Sequence, residues 1–222
     1  MESSDCWKTR LTNTCYGIEK LILFQMHRAK VVWAENEKED ILTLSNINQE
    51  DLKRPCLYRW LVPADMDIIK VLQKKCNKRH PELKTILANM DEVDIDGVKY
   101  HPIYFGKSVN GYKRIITQHL RGTVKTSTIR HTLSGLMFRK YISNKQKINE
   151  YLINTYFEFV TFDSECPEII VPLEAICIAL GNYPLNIDGN LALNSKETGW
   201  GGYLMRARKA SKKPKPQKQV VI

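Results

Sequence analysis

The chain has 222 residues, 43% of them hydrophobic and 26% charged, with a net charge of +10. That balance is typical of a folded, water-soluble protein with a core of its own. No apolar run reaches the roughly 20 residues that a bilayer-crossing helix needs, and MESSDCWKTR lacks a signal-peptide core, so an intracellular protein without a membrane partner is expected.

In chain order, IEKLILF (18–24) is apolar and reads as a strand or a short helix. Ala29 to Trp33 and Asp40 to Leu44 are two Val/Ile/Thr-rich runs around a short acidic link, which predicts a hairpin. Pro55 and Pro63 bracket a short strand. Asp65 or Asp67 then caps a helix that buries Ile68, Ile69, Leu72 and Cys76 and stops before Pro81. Asp96-Gly97 is a turn dipeptide, and VKYHPIYFG after it is extended, with Pro102 inside it.

Further along, NGYKRIITQHL predicts a helix ending at Gly122. Thr126, Ser127 or Thr128 caps the next, on which Ile129, Leu133, Leu136, Met137 and Tyr141 form one apolar stripe. Arg130, Arg139 and Lys140 fall off that stripe and are expected to face water or a ligand. INEYLINTYFEFVTF reads as a helix giving way to a strand, and PLEAICIALG as a helix between Pro172 and Gly181. Trp200 anchors a turn-rich segment before a basic tail. The fold class expected is α+β, with three parts: a small β-rich module with a helix over 17–80, a mainly helical basic unit over 95–203, and a flexible tail over 204–222.

The six cysteines are scattered and form no Cys-x-x-Cys pair, which favours reduced, packed thiols. Cys76 and His80, with Cys56, are the best metal candidates, but no fourth ligand can be named and no metal or cofactor is assigned. His27, His80, His101, His119 and His131 match no acid–base motif, and there is no P-loop or Gly-x-Ser-x-Gly. The sequence is therefore read as non-enzymatic.

Charge is strongly segregated. Lys107 to Lys147 holds ten Lys and Arg and no acid, and Arg206 to Lys218 holds seven more, so the remainder is net acidic. A folded cationic surface repels itself, and a polyanion relieves that cost. Lys125, Thr126, Ser127, Arg130, His131, Arg139 and Lys140 are the candidate nucleic-acid contacts. Arg206, Arg208, Lys209, Lys212 and Lys213 are expected to track the phosphate backbone. Single-strand binding is less favoured, because few aromatics interleave the basic run for base stacking, and duplex DNA is the expected partner ahead of RNA.

GKSVNGYKRIITQHLRGTVKTSTIRHTLSGLMFRKYISN, about residues 106–144, resembles the opening half of a BEN domain: a helix after an extended lead, a Thr/Ser-rich turn, then T-x-R-x-x-L-x-x-L-M. AKVVWAENEKEDILTLSNI is similar to a β module that precedes some such domains. The resemblance implies a mostly helical DNA-binding unit of a nuclear transcription or chromatin regulator, with chromatin proteins as further partners. Two alternatives stand beside it: an adaptor whose RKASKKPKPQK tail is a nuclear import signal, and a viral or mobile-element packaging protein.

Overall fold

The computed structural model of the chain describes residues 4–35, 41–76, 80–138, 145–187 and 199–212. Its centre is one six-stranded sheet, built from β1 (His27–Trp33), β2 (Leu42–Leu44), β3 (Cys56–Pro63), β4 (Val93–Ile95), β5 (Val98–Ser108) and β6 (Tyr156–Thr161). The strand order is β2-β1-β6-β3-β5-β4, and every neighbouring pair is antiparallel. The expected hairpin is β1–β2, with Val31 opposite Leu44. The expected Asp96-Gly97 turn joins β4 to β5, both residues having positive φ (54° and 78°) as a tight two-residue hairpin demands.

The expected division into a β-rich front and a helical back is not what forms. β6, from the region read as mainly helical, lies between β1 and β3 of the front segment, and pairs with both over His27–Lys30 and Cys56–Leu61. The reason lies in strand chemistry. YFEFVT alternates Phe157 and Phe159 on one side with Glu158 and Val160 on the other, and only a two-sided central position buries all four. Glu158 is tolerated there because it is flanked in register by two cations. Its carboxylate accepts from Arg28 Nε at 2.7 Å and from Arg59 Nε at 2.6 Å.

Helices cover both faces. On one side α1 (Ser4–Phe24) packs against α7 (Ile170–Leu180), and α7 packs on β5 and β3. Ile22, Leu57, Phe105, Val160, Cys177, Ile178 and Tyr183 close this layer. The segment 18–24, left open between strand and helix by sequence, is the last part of α1. The larger core lies on the other side. It takes in α2 (Gln49–Leu52), α3 (Asp67–Lys75), α4 (Pro81–Ala88), a wide helical turn over Tyr112–Leu120, α5 (Thr128–Leu133), α6 (Lys145–Leu152) and α8 (Gly199–Lys212). α3 buries Ile68, Ile69 and Leu72 as its spacing predicts.

The basic C-terminal segment is also not wholly a tail. α8 continues the fold to Lys212, with Trp200 and Leu204 fully buried. The Trp200 indole donates to Pro184 O at 2.7 Å. No described helix is long and apolar enough to cross a membrane.

Candidate active site

Antiparallel pairing of β3 with β5 sets Tyr58 opposite Gly106 and Trp60 opposite Tyr104, so both tyrosines lie on the same face of the sheet. Their rings approach to 6.2 Å between centroids. Gly106 makes this arrangement fit. A Cβ there would stand 2.7 Å from the Tyr58 hydroxyl and 3.1 Å from a Tyr104 ring carbon. The glycine is required for space, so that the Tyr58 side chain can cross β5.

The Tyr58 hydroxyl meets two side chains of the 112–120 helix: it accepts from Arg114 Nε at 3.2 Å and lies 2.8 Å from His119 Nε2. Arg114 and His119 are five residues apart. On an α-helix of 3.6 residues per turn they would diverge by about 140°. Here the turn is widened to an i→i+5 pattern, as in the 2.9 Å bond from Arg121 N to Ile116 O, and both side chains come to one side. His119 Nδ1 then lies 2.8 Å from Ser127 Oγ, and Ser127, the N-cap of α5, also accepts from Arg130 N at 3.1 Å.

Electrostatically the cluster is held neutral except for its arginine. Burial, reinforced by the Arg114 and Arg130 charges, holds His119 well below the usual imidazole range. Burial likewise pushes the Tyr58 phenol well above its ordinary value. Arg114 is only half-buried. Besides Tyr58 it donates to Gln118 Oε1 (2.7 Å), Thr128 Oγ1 (3.2 Å) and Thr126 O (3.5 Å). No carboxylate pairs with it among the described residues. A guanidinium fixed by neutral oxygens alone keeps its whole charge for an incoming anion.

The sequence-predicted contacts divide sharply. Lys125, Arg206 and Lys209 are exposed, and Thr126 lies on the exposed turn before α5. Arg130, expected to face water or a ligand, is instead 1% exposed. Its Nε donates to His119 O at 2.6 Å, and its Nη2 to Asn149 Oδ1 at 2.6 Å and to Leu120 O. α6 roofs that side of α5, a contact that periodicity within one helix does not reveal. Ser127 is buried as a cap, and His131 is tied to Arg208 O. Arg208 itself donates to Thr132 Oγ1 and Leu185 O, fastening α8 to the body. Arg139, Lys140 and Lys213 lie outside the described residues, as does the side chain of Lys212.

Among its described residues, the acid-free middle segment turns part of its charge inward instead of gathering it into the single cationic patch expected of it. Its arginines 114, 121 and 130 are spent wholly or partly on internal oxygens, and Lys107 pairs with Glu174. Lys113, Lys125, Lys145 and Lys147 are exposed. Among the described residues no group of three or more His, Cys, Asp or Glu is placed to hold a metal. Cys56 is buried beneath Gly111. His80 packs on Trp200 and Tyr203.

Tyr58, Tyr104, Gly106, Arg114 and His119 carry the site, and none of the tyrosines or the glycine was singled out from sequence. The legible signal was Tyr-x-Gly closing a strand, followed by a basic helix with Arg and His five apart. A family model described as the GIY-YIG catalytic domain matches residues 56–210. No curated protein and no solved structure matches. The triplets in the family's name stand here as Cys56-Leu57-Tyr58 and Tyr104-Phe105-Gly106, and β3 and β5 bring them together. The match overturns the BEN likeness over 106–144 and the reading of a non-enzymatic transcription or chromatin regulator. A catalytic domain of nucleases is an enzyme, and its partner is nucleic acid.

Proposed function

The chain belongs to the GIY-YIG family, and on that premise we propose that it is a nuclease that hydrolyses phosphodiester bonds of DNA at the Tyr58–Tyr104–Arg114 cluster. The observation that carries the reading is Arg114, a half-buried cation whose partners are all neutral.

Hydrolysis needs a bound phosphate, stabilisation of the negative charge gathering on its non-bridging oxygens, and an oriented water. Arg114 supplies the first two. Tyr58 is its positioning residue, accepting from Nε and in turn held by His119, which Ser127 fixes from behind. Because burial and the Arg114 and Arg130 charges keep His119 neutral, it fixes the Tyr58 hydroxyl without setting a second cation beside Arg114. Tyr104 lies nearer the surface than Tyr58, 9% against 0% exposed, and beside Arg114. Its hydroxyl is the group placed to orient the attacking water. Exposed Lys113, Lys125, Arg206 and Lys209 add phosphate contacts along the strand.

A nicking assay on supercoiled plasmid and labelled duplex tests this. Arg114→Ala should slow cleavage by about 10²–10³-fold, the cost of losing one transition-state donor, while circular dichroism stays native and the melting temperature falls by only a few degrees for the hydrogen bonds lost. Arg114→Lys should recover little, since an ammonium cannot hold the Nε tether and a phosphate at once. Wild-type protein that never nicks DNA, or an Arg114→Ala variant as fast as wild type, refutes the proposal.

A further inference from the structure

Next to Arg114 is a cavity that the cluster does not use. It has a volume of about 230 Å³. It is lined by residues 122–125 from the loop before α5, by Arg130 of α5 and by Lys145 and Ile148 of α6. Its lining is mainly apolar and includes Val124 and Ile148, which are 7% and 5% exposed. At the mouth stand two exposed lysines, Lys125 and Lys145.

The wall is rigid. Thr123 N donates to Thr126 Oγ1 at 3.0 Å, and Lys125 N to Thr123 Oγ1 at 3.2 Å, so the loop is tied by its own side chains. The same loop touches the cluster from its other side, because Arg114 donates to Thr126 O and Thr128 Oγ1. Arg130, which also lines the cavity, is bonded to the C-terminal end of the 112–120 helix through His119 O and Leu120 O. Cavity and arginine therefore share one fixed partition.

We propose that this cavity takes one unpaired nucleotide of the DNA substrate, its base between Val124 and Ile148 and its phosphate at Lys125 and Lys145, so that the enzyme selects DNA containing an extrahelical or unstacked base. The chemistry of the lining carries this. Two cations at the mouth suit a phosphate, and an apolar slot behind them suits the flat face of a base. A volume of about 230 Å³ suits one base rather than a base pair. A stacked duplex cannot insert a base without unstacking it, which costs a few kcal/mol and is cheapest where the base has no partner. The proposal rests on the nuclease reading for the identity of the ligand, and it adds which form of DNA is taken.

The test uses the full chain and two duplexes of one sequence, one fully paired and one with a single bulged 2-aminopurine. Binding is followed by stopped-flow fluorescence before cleavage proceeds. The wild type should bind the bulged duplex about tenfold more tightly, as one buried base contributes, and should change the 2-aminopurine emission. Thr123→Trp, at an exposed position of the wall, fills the slot. It should abolish both the preference and the emission change, while Thr123→Ala, which breaks the same Lys125 N bond without filling the slot, should keep both and bind the paired duplex as tightly as Thr123→Trp does. Lys125→Ala should weaken both duplexes and lower the salt slope by about one. Equal affinity of the wild type for the two duplexes, a preference that survives Thr123→Trp, or no binding to either duplex overturns the proposal. Cleavage without preference would remove the pocket and leave the nuclease standing. Preference without cleavage would do the reverse.

Discussion

Replacing Gly106 by alanine changes one methyl group and should disturb the whole cluster. The new Cβ would sit 2.7 Å from the Tyr58 hydroxyl, 2.8 Å from its Cζ and 3.1 Å from Tyr104 Cε1. Tyr58 is fully buried and packed against Tyr104, Phe157 and His119, so its ring has nowhere to move. Overpacking of this kind costs about 1–3 kcal/mol. Displacing the phenol also weakens its bonds to His119 and Arg114, at about 1 kcal/mol each. Against this, alanine restricts the unfolded chain and returns about 0.5–1 kcal/mol. The expected net loss is about 2–4 kcal/mol, measured as a shift of the urea midpoint at constant slope. A Tyr58→Leu background removes both clashing atoms, and there the same substitution should cost less than about 1 kcal/mol, a coupling that a double-mutant cycle reads directly. A Gly106→Ala variant within about 0.5 kcal/mol of wild type, or an equal cost in both backgrounds, would show that the close approach of the two strands' side chains is not what requires the glycine.

Arg130→Met should destabilise by about 3 kcal/mol or more, since His119 O, Leu120 O and Asn149 Oδ1 lose a buried donor; Lys125→Ala, on the exposed turn, should stay within about 0.5 kcal/mol in the same melt. Glu19 is raised to about 7, by burial first and Asp91 second, against the opposing charges of Arg59 and Lys20. An acid whose folded value is raised binds more protons folded than unfolded, so stability falls as pH climbs from about 4.5 through 7; Glu19→Gln should flatten the melting temperature over that window and gain at pH 8. His119 has the opposite sign: neutral when folded, it withdraws stability as pH drops through its ordinary 6.5 and below, and His119→Gln should lessen the acid sensitivity of unfolding. Removing residues 206–222 from a fluorescent fusion tests the nuclear destination read from the Lys-rich, Pro-punctuated segment; unchanged nuclear signal would discard it.

Local chemistry made most elements legible. The hairpin of β1 and β2, the Pro-bracketed β3, the amphipathic α3 and the Ser127 cap all follow from propensities that act within a dozen residues. What sequence reasoning missed was long-range. The place of β6 depends on partners about 100 residues away, and nothing within YFEFVT names them. The same holds for the cluster: Tyr58 and Gly106 face each other only because β3 and β5 pair in one register, and a shift by one residue would put Tyr58 and Tyr104 on opposite faces of the sheet. Arg130 shows a further limit. Its position beside the apolar stripe pointed outward, but α6 covers it, and its charge is answered by carbonyls that no pattern of side chains displays. Basic residues in the acid-free middle segment serve in part as internal bracing rather than as binding surface.

The central seat of β6 bears on how the chain comes to be made. During synthesis the β1–β2 ribbon and the β3–β5–β4 ribbon both emerge before residue 156, each with a raw margin of unpaired amides. Neither can be sealed until the sixth strand leaves the ribosome and slots between them. A nascent chain stalled short of that point carries two sticky borders at once, the circumstance in which neighbouring polypeptides cross-pair.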